Sequence, residues 1–215
     1  MKFFVDSAEI EDIKKAKALG LADGVTTNPT LIRKSGRDFE EAISEIAALI
    51  DGPVLAEPVS ESVNEIVKEG RQLASWASNV VVKIPMTKQG LEATVLLGKE
   101  NIRTALTLVF SPAQALLAAK AGAKYICPFV GRLDDIATPG MDLIAEIMQI
   151  YDNYPELETE VIVASVRTPA HVVDSAAIGA DGVTAPFKVI EQMVKHPLTD
   201  KGIQQFLADW NKANV

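Results

Sequence analysis

The run Asn79-Val80-Val81-Val82-Lys83-Ile84-Pro85 sets one lysine near the end of a short apolar strand. An ammonium in such a run can reach water, or it can stay in an apolar site with its pKa pushed down. A neutral amine attacks a carbonyl carbon and forms a Schiff base. The protonated imine then draws electrons from a neighbouring carbon–carbon bond. That chemistry makes or breaks carbon–carbon bonds. The strand alone is read more simply as a lysine that snorkels into solvent. The other polar residues of the chain decide between the two.

Cleavage through an imine needs an acid/base group at the bond that breaks. It needs another group to handle the water lost and regained as the imine forms. Asp6 and Glu57 supply carboxylates, and the Thr107 hydroxyl can hold a water. Side chains alternate across a strand, so each of these residues shares a face with the residue two positions before it. Phe4 goes with Asp6, Thr26 with Asn28, Leu55 with Glu57 and Val81 with Lys83. Further on, Ala105 goes with Thr107, Cys127 with Phe129 and Val163 with Ser165. With those faces turned inward, Asp6, Asn28, Glu57, Lys83, Thr107 and Ser165 converge on one mouth. A lone buried polar residue is usually a satisfied structural group. Six at one end would each need a partner without water. The competing reading is that Asp6 or Glu57 merely pairs with the Lys83 ammonium, which leaves Asn28, Thr107 and Ser165 unexplained.

Two arginines suggest a phosphate site. Arg132 follows a strand in Phe129-Val130-Gly131-Arg132-Leu133-Asp134-Asp135, and Arg167 stands just before the Thr168-Pro169 helix start, close to Ser165. Guanidinium groups beside a helix N-terminus suit phosphate. Alternatively, Arg132 pairs with Asp134 or Asp135 at the surface.

The elements that must position these groups alternate strictly. Strands are expected over Lys2–Ser7, Gly24–Asn28, Val54–Val59 and Asn79–Pro85, then over Arg103–Phe110, Lys124–Val130, Glu160–Val166 and Gly182–Phe187. Helices are expected over Ala8–Leu19, Phe39–Ile50, Val63–Trp76 and Lys88–Lys99. The later ones are Pro112–Ala121, Met141–Asn153, Pro169–Ile178 and Lys188–Lys195. Their starts carry caps: Ser7, Asp38, Thr87, Ser111 before Pro112, and Thr168 before Pro169. Pro29–Ser35 reads as a loop or short helical turn. Alternation implies parallel strands, and eight such units suggest a closed (β/α)8 TIM barrel. The rival, a doubly wound open sheet, usually has a glycine-rich fingerprint after its first strand. Here that strand ends in Asp6-Ser7-Ala8. Residues 1–215 are read as a single α/β barrel domain, with an additional C-terminal helix over about residues 198–213. Ile203, Phe206, Leu207 and Trp210 share one face of that helix, which must cover the barrel's own wall or a neighbouring subunit.

A net charge of -8 with scattered lysines argues against a nucleic-acid partner. No apolar run is long enough to span a membrane. The first residues pass straight into a strand pattern with an early acid, unlike a signal peptide. One cysteine, Cys127, cannot form an internal disulfide and fits a reducing compartment. The expectation is a cytoplasmic protein that makes no membrane contact.

Longer motifs carry a resemblance. They are Phe3-Phe4-Val5-Asp6, Gly24-Val25-Thr26-Thr27-Asn28-Pro29-Thr30-Leu31, Val82-Lys83-Ile84-Pro85-Met86-Thr87, Pro128-Phe129-Val130-Gly131-Arg132-Leu133-Asp134-Asp135 and Lys195-His196-Pro197-Leu198-Thr199-Asp200. Together they resemble the small transaldolases of the transaldolase / fructose-6-phosphate aldolase family, over essentially the whole chain. The resemblance implies a class I aldolase barrel with no metal and no cofactor, acting on sugar phosphates in the pentose phosphate pathway. It implies Lys83 as the Schiff-base lysine, Asp6 as acid/base, and Glu57 with Thr107 positioning the catalytic water. It implies sugar contacts from Thr26, Asn28 and Ser165, and phosphate contacts from Arg132, Ser165 and Arg167. It also implies a homo-oligomer, a pentamer or decamer, whose C-terminal helix packs on a neighbour. Glu57 and Phe129 match the transaldolases; the aldolases of the family carry glutamine and tyrosine there. A tyrosine hydroxyl could help release the three-carbon unit, so its lack favours transfer over release. Ala105 and Cys127 depart from the usual asparagine and serine. A true aldolase releasing free dihydroxyacetone, and a silent barrel that only binds sugar phosphates, remain the alternatives.

Overall fold

A computed structural model describes residues 1–213. Asn214 and Val215, the last two residues of the expected domain, lie outside the described residues. The chain opens with β1 (Lys2–Asp6), α1 (Ile10–Ala18), β2 (Gly24–Thr26), α2 (Pro29–Ser35) and α3 (Phe39–Leu49). It continues through β3 (Val54–Ala56), α4 (Val63–Trp76), β4 (Val80–Pro85), α5 (Lys88–Gly98) and β5 (Thr104–Val109). Then come α6 (Pro112–Lys120), β6 (Tyr125–Pro128), α7 (Val130–Asp134), α8 (Gly140–Asp152) and β7 (Glu160–Val163). The path ends with α9 (Pro169–Ile178), β8 (Gly182–Ala185), α10 (Phe187–Val194) and α11 (Pro197–Ala213). The eight strands pair in sequence order, all parallel, and β8 returns to β1 to close the barrel. This is the (β/α)8 barrel expected from the alternation, and the additional C-terminal helix is present.

Local chemistry sets the element ends. Asn28, Ser111 and Thr168 each stand before a proline and accept a backbone N–H three residues on. A cap that takes an orphan N–H, followed by a residue that has none, starts a helix cleanly. Gly36 and Gly179 close α2 and α9 in the left-handed region, where glycine carries no steric penalty. Ser7 does not cap α1 as expected; Glu9 holds the cap position, and the Ser7 hydroxyl accepts the Glu9 N–H at 3.0 Å. The strands are mostly shorter than the sequence reading, because their last polar residues have already left the ladder for the loops.

The strands put apolar side chains on both faces. Val80, Val82 and Ile84 of β4 face the helices and join the larger core. Val81 faces inward with Phe4, Leu55, Ala105, Tyr125 and Ile162 in a separate inner cluster. Phe4 is the bulk of that cluster, and its ring fits because both flanking strands offer glycine. A Cβ on Gly24 would lie 2.5 Å from the Phe4 ring and 2.7 Å from the Pro53 carbonyl oxygen. A Cβ on Gly182 would lie 3.3 Å from the other ring edge. The floor of the barrel is therefore an apolar plug.

The opposite rim is tied by side chains that replace strand partners. Asp23 accepts the Phe3 N–H, and Asp181 accepts the Val161 N–H. Asn79, expected within a strand, sits just before β4 and donates to the carbonyls of Ala47, Ile50 and Gly52. The C-terminal helix behaves differently from both. Leu198, Ile203, Phe206 and Leu207 are all more than half exposed, so the barrel's own wall does not cover them. Among the described residues, no helix is long and apolar enough to cross a membrane.

Two outcomes follow from the plug. Gly24→Ala should lower stability by about 1–3 kcal/mol, since the new methyl meets a ring and a carbonyl. An unchanged urea midpoint would show that the Phe4 ring steps aside. Cys127 belongs to the same cluster, and burial pushes its thiol up to about 12. Its thiolate fraction near pH 8 is negligible, so iodoacetamide should label it only after unfolding. Labelling of the native protein would contradict that burial.

Candidate active site

Above the plug, the C-terminal ends of the strands enclose a cavity of about 400 Å³. Asp6 closes β1, Thr26 closes β2, and Asn28 enters from the cap of α2. Glu57 lies one residue beyond β3, and Lys83 and Thr107 point in from β4 and β5. Phe129, Arg132 and Ser165 complete the wall between β6 and β7. Of the catalytic and substrate-binding residues expected from the sequence, all but Arg167 line this cavity.

Lys83 is 5% exposed although every neighbour on its strand is apolar. Its Nζ lies 3.1 Å from Glu57 Oε2, and the two side chains are 6% and 13% exposed. This is a buried ion pair, not a snorkelling lysine. Removing one partner of such a pair costs roughly 3–5 kcal/mol, because the other charge stays buried. The competing reading from sequence, a carboxylate paired with the ammonium, is thus present in the geometry. It does not stand apart from the convergence, because Asn28, Thr107 and Ser165 line the same cavity.

The second carboxylate differs. Asp6 Oδ1 accepts a hydrogen bond from Thr26 Oγ1 at 2.9 Å. Burial pushes the Asp6 carboxyl above its usual range, while the Lys83 ammonium and the Thr26 hydroxyl pull it back. One carboxylate is therefore bonded to the amine and the other is held by a hydroxyl, two environments that suit two roles. The Thr107 hydroxyl oxygen is buried and has no hydrogen-bond partner among the described residues. A buried hydroxyl in that state is costly unless something in the cavity meets it.

The arginines divide. The Arg132 guanidinium stacks 5.0 Å above the Phe129 ring, which Phe110 supports edge-on at 5.7 Å. Arg132 is thereby held over the cavity wall and does not pair with Asp134 or Asp135. Arg167 takes Asp135 instead, donating from both terminal nitrogens, Nη2 to Oδ2 at 2.6 Å. Beside it, His171 Nε2 lies 2.9 Å from Asp134 Oδ2. Arg167 can pass so close because Gly131 lacks a side chain; a Cβ there would meet Arg167 Nε at 2.7 Å.

Three features escaped the sequence. The parity assumed for β7 is reversed: Ile162 and Ala164 face inward, and Val163 faces the helices. Ser165 still reaches the cavity, because it follows the strand in the left-handed region at φ 58°. Leu108 also lines the cavity, at φ 58°, where the ladder to β6 slips between Thr107 and Val109. No residue type signals that bulge. Thr184 of β8 lines the cavity too, and the same parity reasoning applied to Gly182-Val183-Thr184-Ala185 finds it.

A "Probable transaldolase" of Aquifex aeolicus (strain VF5) is 61% identical over 212 residues, 99% of this chain and 97% of that protein. One of Methanococcus maripaludis (strain C7 / ATCC BAA-1331) is 60% identical over 98% of this chain and 97% of its own length. A solved thiamine phosphate pyrophosphorylase from Pyrococcus furiosus superposes with a TM-score of 0.59 at 16% identity, over 89% of this chain and 93% of that one. That likeness concerns the barrel fold alone. Residues 3–214 match the family described as Transaldolase/Fructose-6-phosphate aldolase, and the chain belongs to that family.

Proposed function

We propose that the protein is a transaldolase: it moves a dihydroxyacetone unit from a ketose phosphate to an aldose phosphate through a Schiff base on Lys83. One observation carries the reading: a lysine on an apolar floor stands within bonding distance of one carboxylate and shares its cavity with a second. Lys83 Nζ, its proton passed to Glu57, adds to the ketose carbonyl carbon. Water leaves with proton help from Glu57, and the Thr107 hydroxyl is suited to hold that water. The protonated imine withdraws electrons while Asp6 takes the proton from the hydroxyl on the next carbon but one. The bond from that hydroxyl-bearing carbon to its neighbour on the imine side breaks, its electrons pass to the imine, and the aldose phosphate departs. The enamine left on Lys83 then attacks the acceptor aldehyde, Asp6 returns the proton, and hydrolysis frees the lysine.

Thr26, Asn28 and Ser165 are suited to the sugar hydroxyls. Arg132 is suited to the phosphate, with Ser165 and a reoriented Arg167 as further contacts. Phe129 brings no hydroxyl near the enamine, which favours survival of the three-carbon unit until an acceptor arrives. Fructose 6-phosphate and sedoheptulose 7-phosphate are the donors we infer, and glyceraldehyde 3-phosphate and erythrose 4-phosphate the acceptors. We infer from these substrates a role in the pentose phosphate pathway, in the cytoplasm. The net charge of -8 argues against nucleic acid as a partner. The exposed Leu198, Ile203, Phe206 and Leu207 of α11 support a homo-oligomer in which this helix packs on a neighbour.

Borohydride with fructose 6-phosphate should trap an adduct on the Lys83 peptide, and Lys83→Met should abolish both adduct and turnover. An adduct on another lysine would overturn the mechanism. Glyceraldehyde 3-phosphate formed only when erythrose 4-phosphate is present marks a transaldolase; sustained release without it marks an aldolase. Arg132→Ala should raise KM for the phosphorylated donor by roughly 10- to 100-fold, with a smaller change in kcat. A loss confined to kcat would place Arg132 outside phosphate binding.

A further inference from the structure

Asp6 is not held by its neighbour alone. The Thr26 hydroxyl that donates to Asp6 lies 2.6 Å from the hydroxyl of Thr184, and both threonines are buried. A hydroxyl has one proton to give. Thr26 commits its proton to the carboxylate, so the short contact between the hydroxyls must be donated by Thr184. Three strands, β8, β2 and β1, thus contribute one directed chain: Thr184 to Thr26 to Asp6. Hydrogen bonds in such a chain polarise one another in a low-dielectric interior. A chain with a fixed direction also stops the Thr26 hydroxyl from rotating away.

We propose that Thr184 is a positioning residue for the reaction: through Thr26 it fixes the proton that holds the Asp6 carboxylate in place and in its ionised form. This rests on the reading of Asp6 as the acid/base group at the bond that breaks. The register supports it, because Thr184 stands opposite Phe4, two residues before Asp6 on the same inward face. Thr184 is thereby seated on the apolar plug, where an undirected hydroxyl would be costly. The other titratable or charged groups that line the cavity are Lys83 on β4, Glu57 after β3, Cys127 on β6 and Arg132 on α7. Substitution at Thr184 changes none of them.

The sign is fixed by what the chain stabilises. It donates toward a carboxylate, so it lowers the Asp6 pKa, and loss of its first member raises it. Thr184→Val keeps the shape and removes the hydroxyl. The Asp6 carboxyl carbon, followed by NMR in the free protein, should then titrate about half a unit higher. The acid limb of kcat/KM for the transfer reaction should move up by the same amount, a loss of about 3-fold at a pH below the limb. Thr184→Ser restores a hydroxyl without the methyl and should return both curves to their original places. In a Thr26→Val background the relay is already cut, so Thr184→Val should leave the Asp6 titration unmoved.

An Asp6 titration that stays put in Thr184→Val, or one that Thr184→Ser moves equally far, overturns the proposal. The carboxyl titration does not depend on turnover. If it shifts as expected while the unmodified protein transfers nothing, the relay stands and the transaldolase reading falls. If the unmodified protein transfers and the titration is flat, the relay falls alone.

Discussion

A charged amine on an apolar floor is the constraint from which the rest of the site follows. Lys83 sits above Val81 and Phe4, with almost no water contact. A lone ammonium there would be too costly to keep, so the fold must bring compensating groups from other strands. Glu57 arrives from β3 at 3.1 Å, and Asp6 arrives from β1, close enough for the ammonium to act on its carboxyl. The second carboxylate needs a partner of its own, and the Thr26 hydroxyl supplies it to Asp6. Closing eight strands into a barrel is what lets residues from so many parts of the chain meet without water.

Much of this was legible in the sequence because it depends on short-range rules. A cap followed by proline predicts a helix start, and α9 begins and ends at the residues expected, Pro169 and Ile178. The bounds of α4, Val63 and Trp76, were also foreseen. Strand parity put Asp6, Glu57, Lys83 and Thr107 on the inward face, since a two-residue period leaves no freedom while a strand stays regular. The reading failed where the strand did not stay regular. Leu108 and Ser165 both take a left-handed backbone, which costs a non-glycine residue roughly 1–2 kcal/mol. Nothing in a leucine or a serine announces that. The helix α7 has no counterpart in the sequence reading because it is five residues long and holds Arg132, read there only as part of a phosphate site. The Arg167–Asp135 pairing depends on the close pass over Gly131, which only the three-dimensional arrangement reveals.

The two ends of the barrel use polar groups in opposite ways. At the N-terminal rim, Asp23, Asp181 and Asn79 spend their hydrogen bonds on backbone groups that the ladder leaves over. Such bonds are local and hold the closure in register. At the C-terminal end, side chains bond to one another, as in Thr184, Thr26 and Asp6, or keep a buried atom without a protein partner, as in Thr107. The Phe4 plug separates these two regimes, so tightness at one end does not demand rigidity at the other.

The bare side of α11 has a thermodynamic meaning of its own. Phe206 and Leu207 stand in water at a cost that the rest of the fold must carry. Any surface that shelters them is linked to folding by mass action. For a chain whose cover is another copy of itself, dilution becomes a denaturant, and the melting temperature is a property of the solution as much as of the sequence.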